Sequence, residues 1–211
     1  MSAAPEIALQ LQGSESWTLS ELEDLCEQFH GDKGRFAYRA VRWAMDVVYD
    51  GDRLPVPLTQ WALTAYGRCI GLTASTPELA PVVTLHPTIW DGPRDPNKPP
   101  APCGPRYTLD VVVHELMHVH VAYVCGAWRG GHSSHDNPVW CREIMRVSPK
   151  LGLPVFFAAP TVRRKVDCSD GVTRSKRLTP DGSIHMAGIA QWPHSLRAPG
   201  FYSSTEVPFT W

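Results

Sequence analysis

With 211 residues, 43% of them hydrophobic, the chain can bury one sizeable core with room for appendages. Its 20 basic and 21 acidic residues leave a net charge of −1, which excludes a polyanion binder built on overall charge. No run of 18 apolar residues occurs, and the first twelve residues lack a basic stretch followed by an apolar one, so neither a membrane span nor a signal peptide is expected. The expected location is the cytoplasm, where Cys26, Cys69, Cys103, Cys125, Cys141 and Cys168 would stay reduced.

Residues 1–17 read as a loose lead-in. From 18 to 29, Leu19, Leu22, Leu25, Cys26 and Phe29 recur at helical spacing with acidic residues between them, which predicts an amphipathic helix; residues 36–49 predict a second. After the Pro55-Val56-Pro57 step, residues 58–66 read as a third, short helix, and 82–85 is the clearest strand. The proline-rich stretch 91–105 excludes regular structure and stands just ahead of the next helix, either as the wall of a cleft or as a passive linker. That helix is expected over about 109–125, with Thr108 as N-cap, Asp110 in the first turn and Gly126 as its stop. Its many valines are mediocre helix formers, so burial rather than propensity must hold it. Asn137 as N-cap and Pro138 in the first helical position predict another helix to about Val147, with Trp140, Ile144 and Val147 on one face. Farther on, Arg163-Arg164-Lys165 and Arg174, Lys176 and Arg177 flank the turn pair Asp170-Gly171, which predicts a short basic hairpin. No internal repeat is visible.

The chemistry concentrates in His114-Glu115-Leu116-Met117-His118. Positions i and i+4 lie one above the other on a helix, so His114 and His118 can offer ring nitrogens to one metal ion while Glu115 points beside it. Catalytic zinc takes three protein ligands and keeps a fourth position open; the metal lowers the pKa of water there toward 7, and Glu115 would be the general base. The plain alternative is a chance match, with core histidines bonded to backbone. A third ligand is available in the loop 130–137: His135, immediately before the helix anchored by Trp140, or His132, or a carboxylate such as Asp136 or Glu143. The short metzincin pattern is excluded, because position 124, where its third histidine would fall, is Val.

This arrangement resembles the SprT-like (Spartan-type) zinc metallopeptidase domain: an H-E-x-x-H helix, then a loop histidine just ahead of a helix bearing an aromatic. The segment Tyr66-Gly67-Arg68-Cys69 and the apolar run Pro81-Val82-Val83-Thr84-Leu85-His86, ending near Trp90, also resemble the family's glycine-containing segment and the strand before its catalytic helix. The resemblance covers about residues 35–150. It implies an α+β, zincin-like metallopeptidase domain with a small sheet, one catalytic Zn2+ held by His114, His118 and His135, and Glu115 as general base; here the basic hairpin is an addition at the C-terminal side. It further implies a peptidase acting on DNA-associated proteins. The spacing from His135 to Trp140 is one residue longer than the family's His-Gly-x-x-Phe, and the absence of any C-x-x-C means that no structural zinc ribbon is expected.

The expected organisation is a lead-in over 1–17, the zincin-like domain over 18–160, and the hairpin with a C-terminal extension over 161–211 packing back through Trp192, Pro193, Phe201 and Tyr202. A locally basic ribbon on a neutral protein, Arg163, Arg164, Lys165, Arg174, Lys176 and Arg177, is a candidate nucleic-acid phosphate contact; an ordinary solvated hairpin is the competing reading. His185 and His194 could serve as transition-state donors, and Cys125 and Cys141 lie on the two site helices without paired spacing. A different class stays open: a non-catalytic, zinc-stabilised DNA- or protein-binding module. Glu115 discriminates, because a structural metal site has no use for a base beside an open coordination position.

Overall fold

The computed structural model describes residues 17–50, 54–63, 70–76, 79–92, 103–127, 138–147, 150, 162–167, 173–178 and 210. The first helix, α1 (Leu19–His30), begins at Thr18: the Thr18 hydroxyl accepts the Glu21 N–H at 3.3 Å, and the Glu21 carboxylate accepts the Thr18 N–H at 2.8 Å. Gly31, at φ 64, turns the chain directly into α2 (Asp32–Trp43), which runs on into a single π-helical turn, Ala44–Val48. α1 and α2 pack closely at Gly34, where an added Cβ would overlap the backbone carbonyl of Cys26.

Residues 58–61 are a strand, β1 (Leu58–Trp61), which corrects the helix expected over 58–66; residues 64–69 lie outside the described part. The burial alternates, with Thr59 and Trp61 inward, and the strand's backbone is caught from both sides. Tyr38 Oη accepts the Thr59 N–H at 2.9 Å, and Cys26 Sγ donates to the Thr59 carbonyl at 3.5 Å, its thiol pushed up to about 12 by burial. A short apolar run does not by itself distinguish strand from helix, and here the partner strand decides.

β2 (Gly71–Thr76) and β3 (Leu79–Leu85) pair antiparallel, while β1 joins the other side of β3 in parallel, Leu58 opposite Val82 and Trp61 opposite Leu85, giving the order β1-β3-β2. The expected strand over 82–85 is therefore the centre of the sheet, with Val83 and Leu85 wholly buried. β2 has no counterpart among the expected elements; its residues, Gly71-Leu72-Thr73-Ala74-Ser75-Thr76, are too weakly apolar to announce a strand.

After a one-turn helix, α3 (Thr88–Asp91), comes the central helix α4 (Pro105–Tyr123). It starts a turn earlier than expected. Gly104, at φ 93, precedes Pro105 in the first helical position, so Thr108 is not a cap but an interior residue whose hydroxyl donates to the Ile89 carbonyl at 3.4 Å. The expected stop holds: Gly126 has φ 66, and the Ala127 N–H returns to the Val121 carbonyl at 3.0 Å. Val111, Val112, Val113, Leu116, Met117, Val119 and Val121 are all buried, so α4 is enclosed nearly all round by α2, the sheet and α5 (Pro138–Val147). On α5, Trp140, Ile144 and Val147 are buried, as their spacing predicts. Finally β4 (Val162–Asp167) and β5 (Thr173–Leu178) form the expected hairpin as an antiparallel pair. The chain is thus α+β, with a three-stranded sheet and several helices. Among the described residues no helix is long and apolar enough to cross a membrane.

Candidate metal centre

α4 brings His114 and His118 together as the i, i+4 spacing requires: their ring centroids lie 5.0 Å apart with the planes at 77°. Both rings rest on the same buried side chain of α5. Trp140 stacks on His118 at 4.2 Å and 25° and meets His114 edge-on at 5.1 Å. With Trp140 fully buried, the indole fixes the orientation of both imidazoles. Its spacing in the sequence marks this residue only as the anchor of a helix.

Glu115 lies one residue along the helix, 3% exposed, beneath the start of β2. Thr73 donates its hydroxyl to Glu115 Oε2 at 2.7 Å, while the position that a side chain at Gly71 would occupy is taken by Glu115 Oε1. Burial pushes the carboxyl up to about 7, and the Thr73 hydrogen bond pulls weakly the other way. Sequence reasoning misses both Gly71 and Thr73. The only available signal is a glycine opening a hydroxyl-rich stretch, which becomes informative once the strand lies over α4.

The third donor expected from the loop, His135 or His132, lies outside the described residues, as do Asp136, His185 and His194. Glu143, the other carboxylate considered, is committed elsewhere. Its Oε1 lies 3.1 Å from His120 Nδ1 and 2.8 Å from Arg146 Nη2, and its Oε2 accepts from Arg146 Nε at 3.0 Å. Burial works against its charge, but the contacts from His120 and Arg146 outweigh it and hold the carboxyl below the usual carboxylate range. His120 is in turn stacked on Tyr49 at 5.4 Å, so this buried cluster ties α5 to α4. Cys125 is exposed, with its Sγ 3.7 Å from His120 Nδ1. Among the described residues no three His, Cys, Asp or Glu side chains form a metal-holding group.

A depressed carboxylate stabilises the fold above its unfolded pKa and loses that contribution as pH falls through the folded value. Glu143→Gln should therefore cost about 3 kcal/mol near neutral pH. The gap from wild type, followed by urea denaturation, should close as the medium is acidified below the ordinary carboxylate range. A gap independent of pH would show that the charge on Glu143 contributes nothing.

Comparison with protein-family models, with curated proteins and with solved structures finds no match for this chain.

The residues present suit zinc in their chemistry. Two imidazoles on successive turns offer borderline-soft nitrogen donors, and the glycine cradle leaves a carboxylate oxygen beside them where any other residue would place a Cβ.

Proposed function

We propose that the chain is a zinc-dependent peptide hydrolase of the zincin-like type, with His114, His118 and His135 as metal ligands and Glu115 as general base. The observation that carries this reading is the setting of Glu115: a sealed carboxylate, beside two oriented imidazoles, whose proton affinity is raised to about neutral pH. A base is most effective when its pKa lies near the working pH, and a purely structural metal site needs none. Zinc, when bound, supplies the Lewis acidity that activates water and polarises a carbonyl. Thr73 engages Oε2, which leaves Oε1, in the space opened by Gly71, to take the proton of the attacking water and pass it to the leaving amine. Trp140 keeps the histidine rings from turning as the site is loaded.

Purified chain, prepared without chelator, should hold one zinc by elemental analysis, and His114→Ala or His118→Ala should lose it. Protein that carries no zinc under these conditions overturns the assignment. His135→Ala should weaken retention more than His132→Ala; the opposite ranking moves the third ligand to His132.

The β4–β5 register supports a nucleic-acid contact on the hairpin, and with it a substrate among DNA-associated proteins, as the family resemblance implies. Arg163 stands opposite Arg177 and Arg164 opposite Lys176, so the hairpin pairs like charges across its strands. Such pairs destabilise a two-stranded ribbon, which is marginal on its own, and phosphate groups would neutralise them. Binding to DNA should be sequence-independent and fall steeply with salt, and replacing Arg163, Arg164 and Lys176 should flatten the salt slope by about 0.7–0.9 for each phosphate no longer neutralised. If the wild-type chain shows no DNA affinity at low salt, the ribbon is a solvated surface and DNA-associated proteins drop out as substrates.

A further inference from the structure

A cavity of about 330 Å³ is lined by Arg39, Arg42, Trp43 and Asp46, with Thr210 beside them. That volume falls at the small end of ligand sites, roughly 300–1,000 Å³. The first four residues follow helical spacing, so they form one stripe that runs from α2 into the π-helical turn. On an ordinary helix surface Arg42 and Asp46, four residues apart, would pair with each other. Here they do not. Glu23 on α1, its side chain only 10% exposed, accepts from Arg39 Nε at 2.7 Å and from Arg42 Nη2 at 3.0 Å. One buried carboxylate thereby fixes two guanidiniums and keeps Arg42 off Asp46, which has no ion pair among the described residues. Arg39 Nη1 donates to the Thr210 carbonyl at 3.2 Å, while Arg39 Nη2 and Arg42 Nη1 have no partner among the described residues.

The charges of Glu23 and Asp46 cancel those of Arg39 and Arg42, which decides the kind of ligand. A phosphate or other polyanion would meet the two carboxylates as well as the guanidiniums, whereas a molecule carrying both charges can set each against its opposite. We propose that the cavity binds a small zwitterion of the α-amino-acid type with an apolar side chain. Its carboxylate is taken by Arg39 and Arg42, its ammonium by Asp46, and its side chain rests on Trp43, which is packed against the core and forms a fixed wall. This site is separate from the metal centre and does not rest on it.

The probe is L-phenylalanine, titrated by calorimetry into the full chain. One equivalent should bind, and two analogues should bind about tenfold or more weakly: N-acetyl-L-phenylalanine, which lacks the ammonium, and L-phenylalanine amide, which lacks the carboxylate. Asp46→Asn removes no ion pair of the described residues, so the variant should fold; it should bind L-phenylalanine only as well as the N-acetyl analogue, whose own affinity should hardly change. Arg42→Gln should erase the preference over the amide in the same way. His114→Ala, which breaks the proposed metal centre, should bind as the wild type does. The assignment is overturned if the wild-type chain takes up no L-phenylalanine at millimolar concentration, if it holds the N-acetyl analogue equally well, if Asp46→Asn keeps full affinity, or if His114→Ala abolishes binding.

Discussion

Glu115→Gln should lower peptide-bond hydrolysis by about 10²-fold or more while the protein stays folded and keeps its zinc. The amide preserves size and can still accept the Thr73 hydroxyl through its oxygen, so the packing beneath β2 survives. What it lacks is a proton-accepting oxygen of suitable basicity. The measurement is turnover of a protein substrate alongside metal content and thermal unfolding. Equal turnover in both proteins would remove Glu115 from the role of base; loss of zinc together with activity would show instead that the carboxylate supports the metal.

Gly71→Ala should abolish activity to a similar degree by a different route. A methyl group at this position would overlap Glu115 Oε1, and the carboxylate is buried and tethered by Thr73, so it cannot step aside without losing its hydrogen bond. Overpacking of this kind costs about 1–3 kcal/mol in stability. The diagnostic is non-additivity: in a Glu115→Ala background the side chain in the way is gone, and Gly71→Ala should then be nearly neutral for stability. An equal cost in both backgrounds would mean that the glycine serves the strand backbone rather than the carboxylate.

The parts of this molecule that can be read from sequence are those specified by neighbours a few residues apart. Thr18 with Glu21, the Trp140–Ile144–Val147 face, the Gly126 stop and the His114–His118 pair depend only on helical spacing, and each appears as that spacing demands. β1 and β2 depend on partners far along the chain. Thr59 is a strand residue because β3 pairs with it and Tyr38 and Cys26 hold it, none of which lies within a local window. The start of α4 is hidden for a related reason: Pro105 closes a proline-rich loop in sequence, whereas in the structure it opens the helix. The same division runs through the site. The motif on α4 is legible, but Gly71 and Thr73 acquire meaning only after tertiary contact brings β2 over it.

The π-helical turn at the end of α2 acts as a phase shifter. The Tyr49 N–H closes on the Ala44 carbonyl at 2.9 Å, five residues back, so the turn holds one residue more than an α-helix would. Each residue in a helix advances the facing direction by about 100°. Had 44–48 wound as a plain helix, Tyr49 would point well away from His120, and the stack that braces the α4–α5 junction would have no ring to rest on. A one-residue deletion in this turn should thus leave a plain helix with Tyr49 still facing His120, whereas forcing the plain helix at full length would swing the ring off the α4–α5 junction.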